Sequence, residues 1–267
     1  MAGTLVPQIE IRDLTMAYGS FVVMRDSSAQ VKRGEVFIIM GGSGCGKSTL
    51  LRHMIGLKEP AKGDIYYDGA PFWQSDDLAR REKLRSFGVL FQSGALWSSM
   101  TLTENIGLAL GEYTDFSPAE IRDIAHLKLA LVGLKGFEDY YPAEISGGMC
   151  KRAGLARALA LDPDVLFFDE PSAGLDPISS RNLDELILQL RDSLGATFVV
   201  VTHELASIFT IADNSVFLDP STRTMRAQGN PRELLKHSTD PAVHLFLTRG
   251  EVAAPPTHSK PSNPPVL

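Results

Sequence analysis

Two cysteines in 267 residues, Cys45 and Cys150, are too few for a disulfide-stapled scaffold, and neither has a partner at metal-knuckle or redox-pair spacing. Both read as small space-fillers in a reducing compartment. Long apolar runs are missing as well. Val36 to Met40 and Phe198 to Val201 fall far short of the ~20 residues that a membrane-spanning helix needs. No charged-then-apolar leader opens the sequence, so a cytosolic location is expected. Positive charge is not in excess: the net charge is −6, which gives no electrostatic footprint for nucleic acid. The basic cluster Arg80, Arg81, Lys83 and Arg85 reads as a solvated helix face. Internal repeats and heptad runs are also absent, which argues against solenoids and coiled coils. What is there is a 44% hydrophobic chain, able to bury the core of one large domain or of a domain carrying a subdomain.

The stretch from Met40 to Leu50, MGGSGCGKSTL, is where a strand-like apolar run breaks into glycines and resumes as an apolar helix over Lys47 to Leu57. Gly41, Gly46, Lys47 and Ser48 fit G-x-x-x-x-G-K-[ST], the loop that cradles phosphates. Phosphate oxygens need close backbone approach, and the glycines at 41, 42, 44 and 46 leave successive N–H groups uncovered. The helix that follows aims its positive end at the anion. Lys47 adds a mobile charge for the terminal phosphates, and the Ser48 hydroxyl is a ligand for Mg²⁺.

Elsewhere the pattern alternates between strand and helix. Gln8 to Leu14 and Phe21 to Val31 read as an antiparallel edge, with Tyr18 between them either stacking on an adenine or simply ending a strand. Asp64 to Tyr67 is a short strand closed by the Asp68-Gly69 hairpin turn. The apolar strand Phe87 to Phe91 ends at Gln92, where open α/β sheets place ligand contacts. From Ser93 to Leu161 the pattern is helical, with segments over Glu104 to Leu110, Pro118 to Val132 and Gly148 to Leu161. Within it Ser146, Gly147 and Gly148 precede the small-residue helix KRAGLARALAL, so they form either a second anion cradle or an ordinary helix cap.

A buried strand from Asp164 to Phe168 then ends in Asp169 and Glu170. The pair suits Mg²⁺ or its water and the polarisation of an attacking water, and it also suits capping of a following helix. The loop SAGLD, Ser172 to Asp176, leads into a helix over Pro177 to Leu194. Another buried strand, Thr197 to Val201, runs to Thr202 and His203, a histidine that either donates to a γ-phosphate or is structural. A helix to Ile211, a strand over Ser215 to Leu218, a return strand and helical segments from Pro231 to Leu247 complete the lobe. From Ala254 five prolines mark a flexible tail.

In this order, the P-loop, Gln92, SGGM, Asp169-Glu170, SAGLD and His203 resemble the nucleotide-binding subunit of ABC transporters. The resemblance implies an α/β P-loop NTPase (RecA-like) core with an antiparallel β edge and an inserted α-helical subdomain at about 93–162. It also implies a single domain over 1–253 and a tail over 254–267. It makes Tyr18 the adenine-stacking aromatic. Gly41, Gly42, Ser43, Gly44, Cys45, Gly46, Lys47, Ser48 and Thr49 become the nucleotide loop. It assigns Mg²⁺ to Ser48, Gln92 and Asp169, and catalysis of ATP hydrolysis to Glu170, His203, Gln92 and Lys47. Ser146, Gly147, Gly148 and Asp176 would reach the ATP of a second copy in a head-to-tail homodimer. Family signatures usually end in glutamine where this one reads ISGGM, so the backbone cradle carries over and a side-chain contact from Met149 does not.

A narrower resemblance rests on Phe91 to Ile106, FQSGALWSSMTLTENI, and on the methionine-ended signature, which together look like the ATPases of Mla/MCE-type lipid transporters. It implies a MlaE-like membrane permease docked at Ser93 to Met100, with Leu96, Trp97 and Met100 as an apolar socket; the plainer reading keeps Trp97 in the core of the helical subdomain. It further implies an MCE lipid-binding protein, often a small STAS-domain subunit, no nucleic acid, and a place on the cytoplasmic face of the inner membrane. The alternatives are an ABC ATPase of a small-solute importer, a soluble ABC ATPase acting on DNA or ribosomes, and a P-loop small-molecule kinase. The last two fit less well. The chain has a single cassette without coiled-coil insertions, and a kinase needs neither SGGM nor the downstream histidine.

Overall fold

The structure is a computed structural model that describes residues 6–249. The chain runs β1 (Ile9–Tyr18), β2 (Phe21–Val31), β3 (Val36–Gly41), α1 (Lys47–Met54), β4 (Lys62–Tyr67), β5 (Ala70–Pro71), α2 (Asp77–Arg85) and β6 (Phe87–Leu90). Three helices follow without a strand between them: α3 (Leu102–Tyr113), α4 (Pro118–Leu131) and α5 (Gly147–Ala158). Then come β7 (Val165–Asp169), α6 (Pro177–Leu194), β8 (Thr197–Val201), α7 (Leu205–Ile211), β9 (Asn214–Asp219), β10 (Thr224–Gly229), α8 (Pro231–His237) and α9 (Pro241–Leu247).

Two sheets result. The smaller has the order β2-β1-β4-β5 and is antiparallel. The larger has the order β10-β9-β3-β8-β7-β6, parallel except for β10 at its edge. Its central strands β3 and β8 are buried at every position because both faces are covered. Val36, Ile38 and Met40 of β3 join one core with Phe168, Phe198 and the inserted helices, while Phe37 and Ile39 join a second core with α1 and the antiparallel sheet. Strand periodicity alone sends neighbouring residues to opposite cores. Each fully buried phenylalanine here, Phe37, Phe167, Phe168 and Phe198, contributes roughly 1.5–3 kcal/mol of transfer free energy.

The inserted helices start where their sequences provide caps. Thr101 with Glu104 and Ser117 with Glu120 form reciprocal capping boxes at α3 and α4, satisfying amides that no preceding turn can reach. α5 comes close to β6 because Gly88 has no side chain where it meets the Ala158 backbone. A Cβ on Gly88 would stand 2.3 Å from the Ala158 carbonyl oxygen. That closeness accounts for the small residues of KRAGLARALAL.

Several boundaries differ from the sequence reading. β1 runs on past Leu14 to Tyr18 by taking up irregularities in register with β2. α1 ends at Met54, since Gly56 turns into the left-handed region at φ 77. The helical segments expected from Pro231 to Leu247 are α8 and α9, each beginning at a proline behind a capping Asn230 or Asp240. The basic cluster lies on α2, which buries none of its residues. The proline-rich stretch 254–267, with the last four residues of the expected domain, lies outside the described residues.

Candidate nucleotide site

β3 ends and α1 begins around a loop whose conformation only glycine fits. Gly41 has φ 148, and a Cβ there would lie 2.5 Å from the Leu218 carbonyl oxygen and 2.7 Å from Cys45 Sγ. Gly46, at φ 100, abuts Val23 in the same way and stands as the N-cap of α1 without any side-chain cap. The first amides of α1 therefore have no side chain competing for them. Lys47 curls back so that its Nζ donates to the carbonyl oxygens of Gly41 at 2.9 Å and Gly42 at 3.1 Å. Cys45 is buried beneath the loop, and burial raises its thiol pKa, so its side chain packs while its backbone lines the cavity.

Ser48, the second residue of α1, donates from Oγ to Asp169 Oδ1 at 3.0 Å, although the two are 121 residues apart in sequence. Glu170 follows at φ 49, a left-handed conformation held by its amide bonding to the Val201 carbonyl at 2.9 Å. Across from it the His203 Nδ1–H donates to Glu170 Oε1 at 2.8 Å. The other oxygen, Oε2, is buried and, among the described residues, has no hydrogen-bond partner. These groups converge on a cavity of about 1160 Å³, lined by Tyr18, Gly41 to Thr49, Gln92, Glu170 and His203.

Tyr18 ends β1 at the cavity rim, 45% exposed, with the Lys58 ammonium 4.3 Å from its ring centroid. The Thr49 hydroxyl beside it holds its phenol pKa below the ordinary value, and Arg52 and Lys58 add to this. Gln92 lines the cavity, and among the described hydrogen bonds its side chain makes none to Ser48 or Asp169. The far wall was not foreseen from the sequence. Phe217, Pro220 and the α9 residues Ala242, Leu245 and Phe246 give the cavity an apolar side, anchored where Arg226 bridges Asp219 at 2.9 Å and Asp240 at 2.6 Å. Arg226 pulls the Asp219 carboxyl down to about 2.

The remaining candidates lie elsewhere. Ser146 caps α5 by accepting from the Met149 amide at 3.3 Å. With Gly148 it lines a separate groove of about 460 Å³ against α6, near Leu175 and Ser179. Gly147, the first residue of α5, has open space where a side chain would go. Asp176 caps α6, accepting from the Ile178 and Ser179 amides at 3.0 Å each. Within one chain these four residues do not line the P-loop cavity.

The Phe91 to Ile106 segment is a loop as far as Thr101, hung on one buried side chain of α3. Asn105 accepts from the Trp97 amide at 2.7 Å and donates to the carbonyls of Trp97, Met100 and Thr101. Trp97 itself is 61% exposed, so it is not core. Leu96 turns inward against the core, which leaves Trp97 and the half-buried Met100 to form the apolar surface.

The donor set fits a magnesium nucleotide: a glycine cradle that side chains would fill, a lysine with mobile charge, paired Ser48 and Asp169 oxygens, and an orphaned buried carboxylate oxygen. Fold and site together define a P-loop nucleotide-binding cassette. The family profile for ABC transporters matches residues 24–173. The "Intermembrane phospholipid transport system ATP-binding protein MlaF" of Haemophilus influenzae is 39% identical over 92% of this chain and 92% of its own length. The chain therefore belongs to the ABC transporter family, as an ATP-binding subunit.

The "Probable ribonucleotide transport ATP-binding protein mkl" of Mycobacterium tuberculosis is 44% identical over 90% of this chain, which spans 66% of that relative's length. Among solved structures, a dimer of the ATP-binding cassette MJ0796 in a post-hydrolysis state with ADP and Pi matches at a TM-score of 0.73. It is 28% identical over 83% of this chain and 98% of that one.

Proposed function

We propose that the chain hydrolyses ATP as one of two identical subunits driving a membrane transporter for phospholipid. The observation that carries the ATPase reading is the Glu170 carboxylate, held at Oε1 by His203 with Oε2 left free beside the Ser48–Asp169 pair. An attacking water forms its bond to the γ-phosphorus, the bond from that phosphorus to the β–γ bridging oxygen breaks, and ADP leaves. Glu170 Oε2 is placed to take the water's proton. Lys47 leaves the Gly41 and Gly42 carbonyls for the phosphates, and His203 keeps the carboxylate oriented. Ser48 and Asp169, with Gln92, would hold Mg²⁺, which supplies neutralisation of the phosphate charge.

The second copy follows from the placement of Ser146, Gly147 and Gly148. Their helix terminus opens away from their own P-loop cavity, so it meets a nucleotide only across an interface, and the dimeric MJ0796 structure supports such pairing. The exposed Trp97 surface is the site for a permease at the cytoplasmic face of the inner membrane; among the described residues no helix is long and apolar enough to cross a membrane. The likeness to MlaF over 92% of this chain supports phospholipid as cargo; an MCE protein and a STAS-domain subunit complete the proposed complex. The name of the mycobacterial relative favours a second reading, a ribonucleotide as cargo.

Glu170→Gln is expected to bind ATP, release almost no phosphate and accumulate as closed dimers on size exclusion; undiminished steady-state phosphate release removes Glu170 from its role. Mass spectrometry of what co-purifies with the complex from native membranes separates the cargoes. A permease with bound phospholipid supports the first reading, and a ribonucleotide bound to the permease, in excess of one adenine nucleotide per ATPase subunit, supports the second.

A further inference from the structure

α5 lays one stripe of its surface along the segment that leaves β6. Lys151 Nζ donates to the Gln92 carbonyl. Arg157 donates to the carbonyl of Gly94 at 3.1 Å and to that of Ala95. Between the two cations, a Cβ on Gly154 would stand 3.0 Å from the Gly94 oxygen and 2.8 Å from Leu90 Cδ1. Residues spaced by three along a helix share a face, so the three positions act as one track. Carbonyls beyond the end of a strand have no ladder partner, and here the helix supplies one. The same helix begins at the Ser146 terminus. Gln92 and that terminus are thus fastened to one rod.

We propose that Lys151 is a positioning residue for ATP turnover: by holding the Gln92 backbone from the signature helix, it ties Gln92 in one nucleotide cavity to the Ser146 terminus that serves the other. This rests on the paired-subunit reading above. Lys151 is almost fully buried, and burial lowers its pKa while the Glu170 charge works the other way. Its ammonium therefore lies within the field of the catalytic carboxylate as well as on the Gln92 carbonyl. A buried cation placed there has a functional reason that a packing residue would not need. The link runs from one cavity's chemistry to the other cavity's lid, so its loss slows turnover and uncouples the two sites without emptying them of nucleotide.

The test uses the full-length protein, with phosphate release measured against ATP concentration and hydrogen exchange measured over residues 92–95. Lys151→Met keeps the buried stem and removes the ammonium. It is expected to lower kcat roughly ten- to a hundredfold, as a misplaced group does, with KM for ATP within about twofold. Cooperativity in ATP falls to a Hill coefficient of about 1. Exchange at 92–95 rises by about tenfold. Lys151→Arg, which keeps charge and donor, is expected to restore all three readouts. If Lys151→Met does not fold, Lys151→Gln replaces it, with the same direction and a smaller size. Unchanged exchange at 92–95 overturns the inference whether or not the chain hydrolyses ATP. An Arg variant as slow as the Met variant overturns it too. Wild-type protein that neither pairs nor hydrolyses ATP overturns the functional reading instead.

Discussion

Two helix N-termini in this molecule are the proposed phosphate contacts, and they are built differently. α1 begins at Gly46 with no side-chain cap, so its amides stay open, while Lys47 is parked on nearby carbonyls. α5 begins at Ser146, whose hydroxyl accepts from the Met149 amide as in any capped helix. The first terminus is complete within one chain, because β3, β9 and β2 close around its glycines. The second satisfies itself and leans on α6, and in the proposed pairing its ligand comes from a second copy. A site preorganised within one subunit can hold nucleotide alone; a site finished by a second subunit can make hydrolysis conditional on pairing.

The largest expected effect is on the first terminus. Lys47→Met removes the charge that closes on the terminal phosphates and is expected to cut phosphate release by about 10²–10³, measured under saturating ATP. If release is unaffected, the open terminus is not the binding half. Gly41→Ala attacks the same terminus through its backbone. With φ 148 and a carbonyl oxygen 2.5 Å from the added carbon, it is expected to destabilise the fold by about 3 kcal/mol in urea titration. Full stability would mean that the cradle can relax, and the contrast would weaken.

The next effect concerns the wall behind the second terminus. Asp184 on α6 is buried, accepts from Ser207 Oγ at 2.8 Å, and has its pKa raised to about 6, mainly by burial. A raised carboxylate pKa means that the folded chain holds its proton where the unfolded chain has lost it. Stability therefore falls as pH rises from about 4 to about 6 and stays lower above that window. Asp184→Asn keeps the Ser207 bond and removes the buried charge. It is expected to raise stability by about 2 kcal/mol at pH 8 and to change it little at pH 4, read by thermal melts at both values. An equal shift at both values would show that ionisation is not the cause.

Smallest is Ser146→Ala, which removes one cap and is expected to cost about 1 kcal/mol in the isolated chain. Its effect on turnover should be far larger than its effect on stability. Loss of both in proportion would make Ser146 a cap and nothing more.

The P-loop was legible because its constraints are local: glycine, lysine and serine at fixed spacing between a strand and a helix leave few other conformations. The parallel sheet was legible for a similar reason, since unbroken apolar runs such as Val36 to Met40 and Phe198 to Val201 need cover on both faces. Trp97 was not settled by sequence. An aromatic beside a leucine reads equally well as core or surface, and only the grip of Asn105 on the loop turns it outward. Lys151 and Arg157 gave no signal either, because their partners are backbone carbonyls of a segment some sixty residues earlier.

By itself the sequence determined which residue types could bind and cleave a nucleotide, and the helices and strands that carry most of them, since these follow from short-range stereochemistry and hydrophobic periodicity. Only the tertiary structure decided which of them meet. It brought Ser48 to Asp169 and Glu170 to His203, kept Ser146 and Asp176 away from their own P-loop, and fastened Gln92 to the signature helix. Those pairings depend on how the two cores fill around the central sheet, and packing of that kind is a property of the whole chain at once.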